Sequence, residues 1–168
     1  ETKDPYEIVV LQPNIDPYQK FNDIPPDEQM NILLRLADSL TNESTDYVVA
    51  PETFINDNLW LDGINKNGSI QRIYRFIEKY PGVKFIVGAT TYKAYDNKEE
   101  ASPTARPFRG DHYYDSFNTA LQLDSTRIPQ IYHKSQLVVG VEKMPYTQYL
   151  GFLEDLMLHL GGTFRSHG

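Results

Sequence analysis

The chain has 168 residues, and none of them is cysteine. This absence excludes disulfide bonds, thiolate metal sites and a thiol nucleophile within the sequence. No apolar run approaches the roughly 20 residues that a membrane-spanning helix needs. Positive charge is scarce, with 16 Lys and Arg against 23 Asp and Glu, and the net charge of −7 argues against a nucleic-acid surface. We therefore expect no nucleic-acid partner.

Motifs for metal and nucleotide binding are missing as well. The four histidines lack the spacing of metal ligands, and neither G-x-G-x-x-G nor a P-loop occurs. We therefore expect no cofactor and no metal, and we set aside a nucleotide-binding α/β domain.

The rest of the composition is typical of a globular domain, with 40% hydrophobic and 23% charged residues. The length suits a single domain over residues 1–168. The start at Glu1 and the end at Ser166-His167-Gly168 lead us to expect a piece of a longer protein.

Hydrophobic periodicity predicts the element order β-α-β-α-β-β-β-α. The predicted strands are Tyr6–Gln12, Tyr47–Ala50, Val83–Tyr92, Tyr113–Leu123 and Ile128–His133. The predicted helices are Asp27–Leu40 with Asp27 as N-cap, one that Ser69 caps and Pro81-Gly82 ends, and an amphipathic one over Tyr149–Leu160. Residues 93–111 are polar and predict a flexible loop or disordered excursion. This order indicates an α/β fold, a mixed sheet with helices on one face or both.

Two polar side chains directly follow predicted strands. Glu52 comes after the second strand and Lys134 after the fifth. Ligand sites in open α/β sheets form at the carboxyl ends of strands, so both positions are candidates for chemistry. Pro51 and Phe54 beside Glu52 favour partial desolvation, which raises the pKa of a carboxylate and suits a general base.

A second carboxylate, Glu142, lies eight positions after Lys134. Each of these residues alone also fits an ordinary solvated surface position. As a set they have a chemical logic, because an ammonium near a developing oxyanion stabilises its charge. A second carboxylate would keep that lysine protonated and oriented.

Several motifs occur in a recognisable order along the whole chain. They are LQPN at Leu11–Asn14, PET at Pro51–Thr53, the strand YYDSFNTALQLD with Asn118, and a lysine motif with Lys134, Leu137, Val138, Glu142 and Pro145. This ordered set resembles the apolipoprotein N-acyltransferase family, the membrane-embedded branch of the nitrilase superfamily. The lysine motif there is close to K-x-x-L-V-P-F-G-E, and this chain departs from it at Val139, Gly140 and Val141.

The resemblance implies a nitrilase-like α-β-β-α sandwich, with four layers, of which this chain holds an incomplete part. The strands that carry the nucleophilic cysteine would then lie downstream of Gly168. It also implies roles for particular residues: Glu52 as general base, Lys134 as oxyanion stabiliser, Glu142 as support for Lys134, and Asn118 near the substrate.

The implied activity is transfer of an acyl chain from a phospholipid to the amino-terminal diacylglyceryl-cysteine of a lipoprotein, through a cysteine thioester. The implied location is the bacterial inner membrane, with this domain in the periplasm and the membrane helices outside this sequence. The piece itself is expected to be soluble and inactive, because it lacks the thiol. Two alternatives stay open: a soluble amidase or nitrilase of the same superfamily, and a cysteine-free, non-catalytic binding module.

The catalytic interpretation makes a geometric prediction. Glu52 and Lys134 should project from adjacent strand ends into one concavity, within reach of a salt bridge or one bridging water. Glu142 should approach the same lysine.

Overall fold

The computed structural model describes residues 5–15 and 24–135. In this part of the chain, seven strands form one mixed sheet and two α-helices pack against it. The strands are β1 (Ile8–Val10), β2 (Tyr47–Val49), β3 (Ile55–Trp60), β4 (Lys84–Tyr95), β5 (Arg106–Pro107), β6 (Tyr113–Leu123) and β7 (Gln130–His133). The helices are α1 (Pro26–Leu40) and α2 (Gly68–Lys79), and a short 3-10 turn, Ile64–Lys66, precedes α2.

Strand β4 is the centre of the sheet. Strands β1, β2 and β4 are parallel and neighbours in that order, and β3 pairs in parallel with the second half of β4. Strand β6 runs antiparallel along the whole of β4, and β5 and β7 pair with β6. Because β6 takes one edge of β4, strands β2 and β3 share the other edge. Residues 50–54 connect them there.

The hydrophobic core lies between the two helices and one face of the sheet. Helix α2 places apolar residues at positions i, i+3, i+4 and i+7, which form a single stripe along the helix. This stripe is Ile70, Ile73, Tyr74 and Ile77, and α1 adds Met30, Leu33 and Ala37. The sheet contributes Val48, Phe85, Val87, Ala89, Leu121 and Leu123, all of which are buried.

Alternation along the strands places the remaining side chains of β4 and β6 on the opposite face. The two described helices do not pack on this face, which we call the open face. The register of β4 with β6 places these residue pairs side by side on the open face: Ile86 and Gln122, Gly88 and Ala120, Thr90 and Asn118, Tyr92 and Ser116, and Ala94 and Tyr114.

The helix starts differ from the predicted caps. Helix α2 is capped by Asn67, whose side-chain oxygen accepts two backbone N–H groups of the first turn at 2.9 and 3.2 Å. Ser69 lies inside the helix, and its hydroxyl donates to Asp57 at 2.8 Å. Helix α1 has no side-chain cap, and its first residue is Pro26, which has no N–H to satisfy. Asp27 lies in the first turn, where its negative charge interacts favourably with the helix dipole.

Strand β3 is absent from the sequence-based prediction. Its residues 56–58 are Asn and Asp, which are depleted in strands. The pairing with β4 also shifts register between Ile55 and Leu59, and Asn58 has a φ of 39°. This irregularity breaks the alternation that predicts a strand.

The polar segment over residues 93–111 contains more regular structure than predicted. Strand β4 continues to Tyr95, and β5 pairs with the start of β6. The predicted strand Tyr113–Leu123 has the same bounds in the structure. The predicted helix over Tyr149–Leu160 lies outside the described residues.

Candidate functional site

Glu52 lies in the connection between β2 and β3, which runs directly over β4 at Gly88. The Gly88 N–H donates to the Pro51 carbonyl at 3.1 Å, and the Phe54 N–H donates to the Gly88 carbonyl at 2.8 Å. A Cβ at Gly88 would lie 2.5 Å from both the Glu52 Cα and the Thr53 N, a contact that real Cβ atoms do not make. Because glycine has no side chain, the Glu52 backbone can lie directly against β4 at Gly88.

The residue after Glu52 has an unfavourable backbone conformation. Thr53 has a φ of 50°, in the left-handed region that β-branched residues rarely adopt. Strain of this kind costs about 1–3 kcal/mol and occurs most often at ligand-binding and active sites. The hydrogen bonds to Gly88 therefore hold the turn against the local preference of Thr53.

Three side chains meet over the open face, and we call them the Glu52 cluster: Glu52, Asn118 and Lys134. The Lys134 Nζ donates to Oε1 of Glu52 at 3.1 Å, and the Asn118 Nδ2 donates to the same oxygen at 2.6 Å. Hydrogen bonds to an ionised carboxylate are stronger than those between neutral groups. The two donors therefore stabilise the negative charge of Glu52 and fix its orientation.

The cluster is open to solvent on the side of the carboxylate. The side chain of Glu52 is 62% exposed, whereas that of Lys134 is 30% exposed. The sequence predicts that Pro51 and Phe54 partly shield Glu52 from water. In the structure, most of the Glu52 side chain is exposed to solvent.

The pairing of β6 with β7 brings Lys134 to the open face. His133 lies opposite Thr119, and the N–H of the next residue, Lys134, donates to the Asn118 carbonyl at 2.8 Å. Side chains alternate along a strand, so His133 lies on the helix-covered face and Lys134 on the open face. The predicted contact of Lys134 with Glu52 is confirmed, but the strand ends are not adjacent. Strands β4 and β6 separate β2 from β7, and Lys134 reaches Glu52 beside Asn118.

The residue before the cluster lysine, His133, is fixed on the helix-covered face. Its ring stacks on Phe117 with 4.2 Å between centroids and 26° between planes. Its Nδ1 lies 2.9 Å from the Thr119 hydroxyl, which in turn lies 2.6 Å from the hydroxyl of Thr91. Burial, and then the charge of Lys93, lower the pKa of His133. The His133 ring is therefore uncharged near neutral pH, and its contacts with Phe117 and Thr119 hold it in place.

The structure thus brings together three of the four predicted site residues. Glu142 lies outside the described residues, so its contact with Lys134 stays a prediction. The catalytic roles of Glu52, Lys134 and Glu142 and the substrate-binding role of Asn118 also stay predictions.

Two residues of the site were not singled out from the sequence. Gly88 carries a usable signal, because a lone glycine within a strand indicates close approach of another backbone. His133 carries no such signal, because its contacts with Phe117 and Thr119 depend on the register of β6 and β7.

Neither a metal site nor a membrane span emerges from the residues that the structure describes. No group of three or more His, Asp and Glu side chains in residues 5–15 and 24–135 is arranged to hold a metal ion. No helix within the same ranges is long and apolar enough to cross a membrane.

Comparison with known proteins adds one similarity to this geometry. No protein-family profile matches the chain. The chain is 24% identical over 157 residues to a protein of Chlorobaculum tepidum named apolipoprotein N-acyltransferase. The aligned region covers 92% of this chain but only 28% of the relative, so the chain spans little more than a quarter of that protein.

Proposed function

We propose that this chain supplies the general base and the oxyanion-stabilising lysine of an acyltransferase that acts on lipoproteins. The observation that carries this proposal is the contact of Lys134 and Asn118 with one carboxylate oxygen of Glu52. The similarity to the Chlorobaculum tepidum protein extends over 92% of the chain and supports the same assignment.

The nucleophile in this proposal is a cysteine outside the chain, since the sequence contains none. Glu52 takes the thiol proton, and the sulfur attacks an ester carbonyl of a phospholipid. A carbon–sulfur bond forms, the ester carbon–oxygen bond breaks, and the departing alkoxide takes the proton from Glu52. The amino group of the lipoprotein cysteine then attacks the thioester. Glu52 takes a proton from the attacking amino group as the carbon–nitrogen bond forms. The carbon–sulfur bond breaks, and the departing thiolate takes that proton from Glu52.

Lys134 stabilises the oxyanion of both tetrahedral intermediates in this scheme. Its ammonium is paired with Glu52 in the resting site, at 3.1 Å. Protonation of Glu52 removes the charge that holds this pair together. The ammonium is therefore released toward the substrate oxygen in the step that makes that oxygen negative. Asn118 keeps the carboxyl group in place while its charge changes.

A purely structural role explains this arrangement less well. A solvent-exposed ion pair contributes about 0–1 kcal/mol to stability, and the side chain of Glu52 is 62% exposed. The left-handed conformation of Thr53 costs about 1–3 kcal/mol in the same turn. The turn therefore costs at least as much stability as its ion pair contributes, which favours a functional reason for it.

The proposal includes a four-layer nitrilase-like sandwich for the whole protein, in which a second sheet covers the open face. Large apolar side chains lie on this side of the sheet with much of their surface exposed: Ile8 at 55%, Val10 at 69% and Tyr132 at 66%. Apolar surface of this kind is typical of a contact area. The proposed location is the periplasmic side of the inner membrane, with the membrane helices elsewhere in the protein.

The proposal is tested with Glu52→Gln in the full-length protein. Glutamine keeps the size of the side chain and an oxygen for Lys134 and Asn118, but it cannot take a proton. We expect activity to fall by about 10²–10⁴-fold, the usual contribution of a general base. The assay is growth of a strain depleted of its own lipoprotein acyltransferase, with protein abundance checked by blot.

The matched control is Asp38→Asn. Asp38 accepts from Lys79 at 3.0 Å on the helix-covered side of the molecule, in a similar ion pair without the proposed chemistry. Asp38→Asn should support growth as well as the wild type. Equal growth with Glu52→Gln at equal abundance would contradict the proposed function.

A further inference from the structure

The two helices enclose a groove on the outer surface of the helix-covered side, and we call it the helix groove. Early in both helices, Nη1 of Arg72 donates to the Asp27 carbonyl at 3.1 Å, and late in both helices, Lys79 donates to Asp38 at 3.0 Å. Helices α1 and α2 therefore run side by side in the same direction. One face of each helix lines the groove, at positions i, i+3, i+4 and i+7 counted from Asn31 in α1 and from Arg72 in α2. Its volume is about 300 Å³.

Positive charge is concentrated in the helix groove, although the chain as a whole carries a net charge of −7. Three arginines line it, Arg35 from α1 and Arg72 and Arg75 from α2. Lys79 and Asp38 also line it, at one end, where they neutralise each other at 3.0 Å. The charge that is available to a ligand therefore belongs to the three arginines, and such a concentration of one sign attracts anions.

Arg75 is the arginine whose presence the fold explains least. It is exposed, and its side chain makes no hydrogen bond or ion pair with any residue that the structure describes. Arg72 lies three residues before it on the same face of α2, and like charges that are neighbours on a helix destabilise it. Arg75 also precedes the last turn, where Lys79 interacts favourably with the helix dipole. An anion bound between the arginines would relieve their repulsion.

The guanidinium of Arg72 is held in place without a ligand. It donates to the Asn31 side-chain oxygen and to the Asp27 carbonyl, and the side chain is 20% exposed. The Asp27 carboxylate lies 3.6 Å away and is 94% exposed, so it neutralises Arg72 weakly. A side chain that is already fixed loses little conformational entropy when a ligand binds. Arg72 is therefore a preorganised contact for an anion.

Arg35 is paired more loosely, on the opposite wall of the groove. Its Nη2 lies 3.4 Å from Oε1 of Glu28, and the two side chains are 74% and 49% exposed. Ion pairs at this exposure contribute little to stability. A ligand with two negative charges can therefore compete with Glu28 for Arg35.

A phosphate monoester fits these three arginines better than other anions do. Guanidinium groups form paired hydrogen bonds with phosphate and carboxylate oxygens. Because the arginines belong to both walls, the ligand needs oxygens that point in more than one plane. A phosphate monoester offers three such oxygens, whereas a carboxylate offers two in a single plane. Asp27 and Asp38 flank the groove at its two ends, and their charge disfavours a polyanion such as a nucleic acid.

The size and the apolar part of the groove indicate a small organic group on the phosphate. A volume of about 300 Å³ is at the lower end of the range for small-molecule sites. Leu34 and Phe76 line the groove beside the arginines and offer apolar contacts. A short carbon skeleton attached to the phosphate can lie against them.

We propose that the helix groove binds the phosphate group of a phosphate monoester between Arg72 and Arg75 on one wall and Arg35 on the other. Two sources share this chemistry: a small free ester, and the headgroup of phosphatidic acid in a membrane. The groove lies on the opposite side of the sheet from the Glu52 cluster, so this proposal does not depend on the proposed function.

The test is isothermal titration calorimetry of the chain with glycerol 3-phosphate at about pH 8, where the ester carries close to two negative charges. We expect saturable binding at one site that weakens at least tenfold at high salt, because the contacts are electrostatic. Glycerate, which carries a carboxylate in place of the phosphate, should bind at least tenfold more weakly. Equal affinity for glycerate would overturn the assignment to phosphate.

Variants locate the site. Arg75→Gln should weaken binding of glycerol 3-phosphate about tenfold or more, and Arg75→Lys should restore part of the loss, because an ammonium keeps the charge without the paired hydrogen bonds. The matched control is Arg109→Gln, which removes an equal charge from an exposed arginine between β5 and β6. It should bind as the wild type does. Wild-type affinity in Arg75→Gln, or an equal loss in Arg109→Gln, would overturn the proposal.

Sedimentation with vesicles distinguishes the two sources of the phosphate. The vesicles consist of phosphatidylcholine with or without phosphatidic acid. Sedimentation that requires phosphatidic acid and is lost in Arg75→Gln would place the phosphate on a lipid. Binding of glycerol 3-phosphate without sedimentation would assign the groove to a free ester. If the wild-type chain binds neither, or if Arg75→Gln sediments as the wild type does, the proposal is wrong.

Discussion

Gly88 is the residue on which the position of Glu52 depends most directly. A Cβ there would lie 2.5 Å from two backbone atoms, which cannot move aside as the end of a flexible side chain can. Gly88→Ala should therefore lower the free energy of unfolding by about 1–3 kcal/mol, the usual cost of overpacking. The measurement is urea denaturation of the chain.

Gly82→Ala is the control for this prediction. A Cβ at Gly82 would meet no atom within 4 Å, and this glycine does not have a positive φ. Its substitution should change the free energy of unfolding by no more than about 0.5 kcal/mol. Equal stability of the two variants would show that the connection over β4 is not packed as closely as the structure indicates.

His133 gives the chain a pH-dependent contribution to stability. Burial, followed by the charge of Lys93, lowers its pKa in the folded state, so the unfolded chain binds a proton more readily. This contribution is complete above the unfolded value of about 6.5 and is lost as the pH falls through the lower folded value. We therefore expect the free energy of unfolding to decrease below about pH 6.5, and to decrease less in His133→Asn.

The measurement is urea denaturation of the wild type and of His133→Asn between pH 4.5 and 8. A difference in the free energy of unfolding that does not change with pH would contradict the buried position of the His133 ring.

At the scale of elements, one buried carboxylate holds the segment between β4 and β6 against the sheet. Asp115 is 2% exposed and accepts hydroxyl groups from Tyr95 at 2.8 Å, Ser102 at 2.7 Å and Thr104 at 3.1 Å. Burial of Tyr95, and then its hydrogen bond to Asp115, raise the pKa of Tyr95. Two of the three donors belong to residues 96–105, so this carboxylate fixes a segment that has little apolar surface of its own.

Asp115→Ala should release this segment. Each hydrogen bond to a charged group contributes about 1.5–3 kcal/mol, so the free energy of unfolding should fall by at least about 1.5 kcal/mol. Amide hydrogen exchange in residues 96–105 should accelerate more than exchange in α2. The control is Asp111→Ala, which removes an exposed carboxylate from the same connection. Unchanged exchange in Asp115→Ala would show that other contacts hold the segment.

The elements that could be predicted are those with a regular apolar pattern. Helix α2 carries apolar residues at every third or fourth position, and strand β6 is rich in aromatic and apolar residues from Tyr113 to Leu123, so the positions of both elements follow from the sequence. Strand β3 could not be predicted, because its pairing with β4 skips residues and its centre is Asn and Asp. Asn67 caps α2 in place of Ser69 because both residue types suit an N-cap, and only the path of the backbone distinguishes them.

The candidate site shows a similar division. The meeting of Glu52 with Lys134 was expected from motifs in a familiar order, since no local rule connects residues that are 82 positions apart. The role of Gly88 and the position of Asn118 beside Thr90 depend on the register of β4 with β3 and β6. Register is set by contacts among whole strands, and a single sequence does not specify it by local pattern.

At the scale of the whole molecule, the residues that stabilise the fold and the residues of the proposed chemistry lie on opposite faces of the sheet. The helix-covered face holds the apolar core, and the open face carries the Glu52 cluster. Polar substitutions in the cluster should therefore leave the core intact. Function and folding can be tested separately by variants on the two faces.

The most direct test of the catalytic assignment is Lys134→Met in the full-length protein. Methionine keeps an unbranched side chain but removes the charge that the oxyanion requires. By analogy with the loss of one oxyanion-hole donor, transition-state stabilisation should fall by about 2.7–4 kcal/mol. Lys134→Arg should also fail, because a planar guanidinium does not replace a compact ammonium. Glu142→Ala should be milder, since its predicted role is to orient Lys134.

The control is Lys79→Met, which removes a lysine paired with Asp38 at 3.0 Å on the helix-covered side. The measurement is growth of the acyltransferase-depleted strain with each variant at equal abundance by blot. We expect Lys79→Met to support growth and Lys134→Met not to support it. If Lys134→Met supports growth as well as Lys79→Met does, Lys134 is an ordinary surface lysine and the proposed mechanism is wrong.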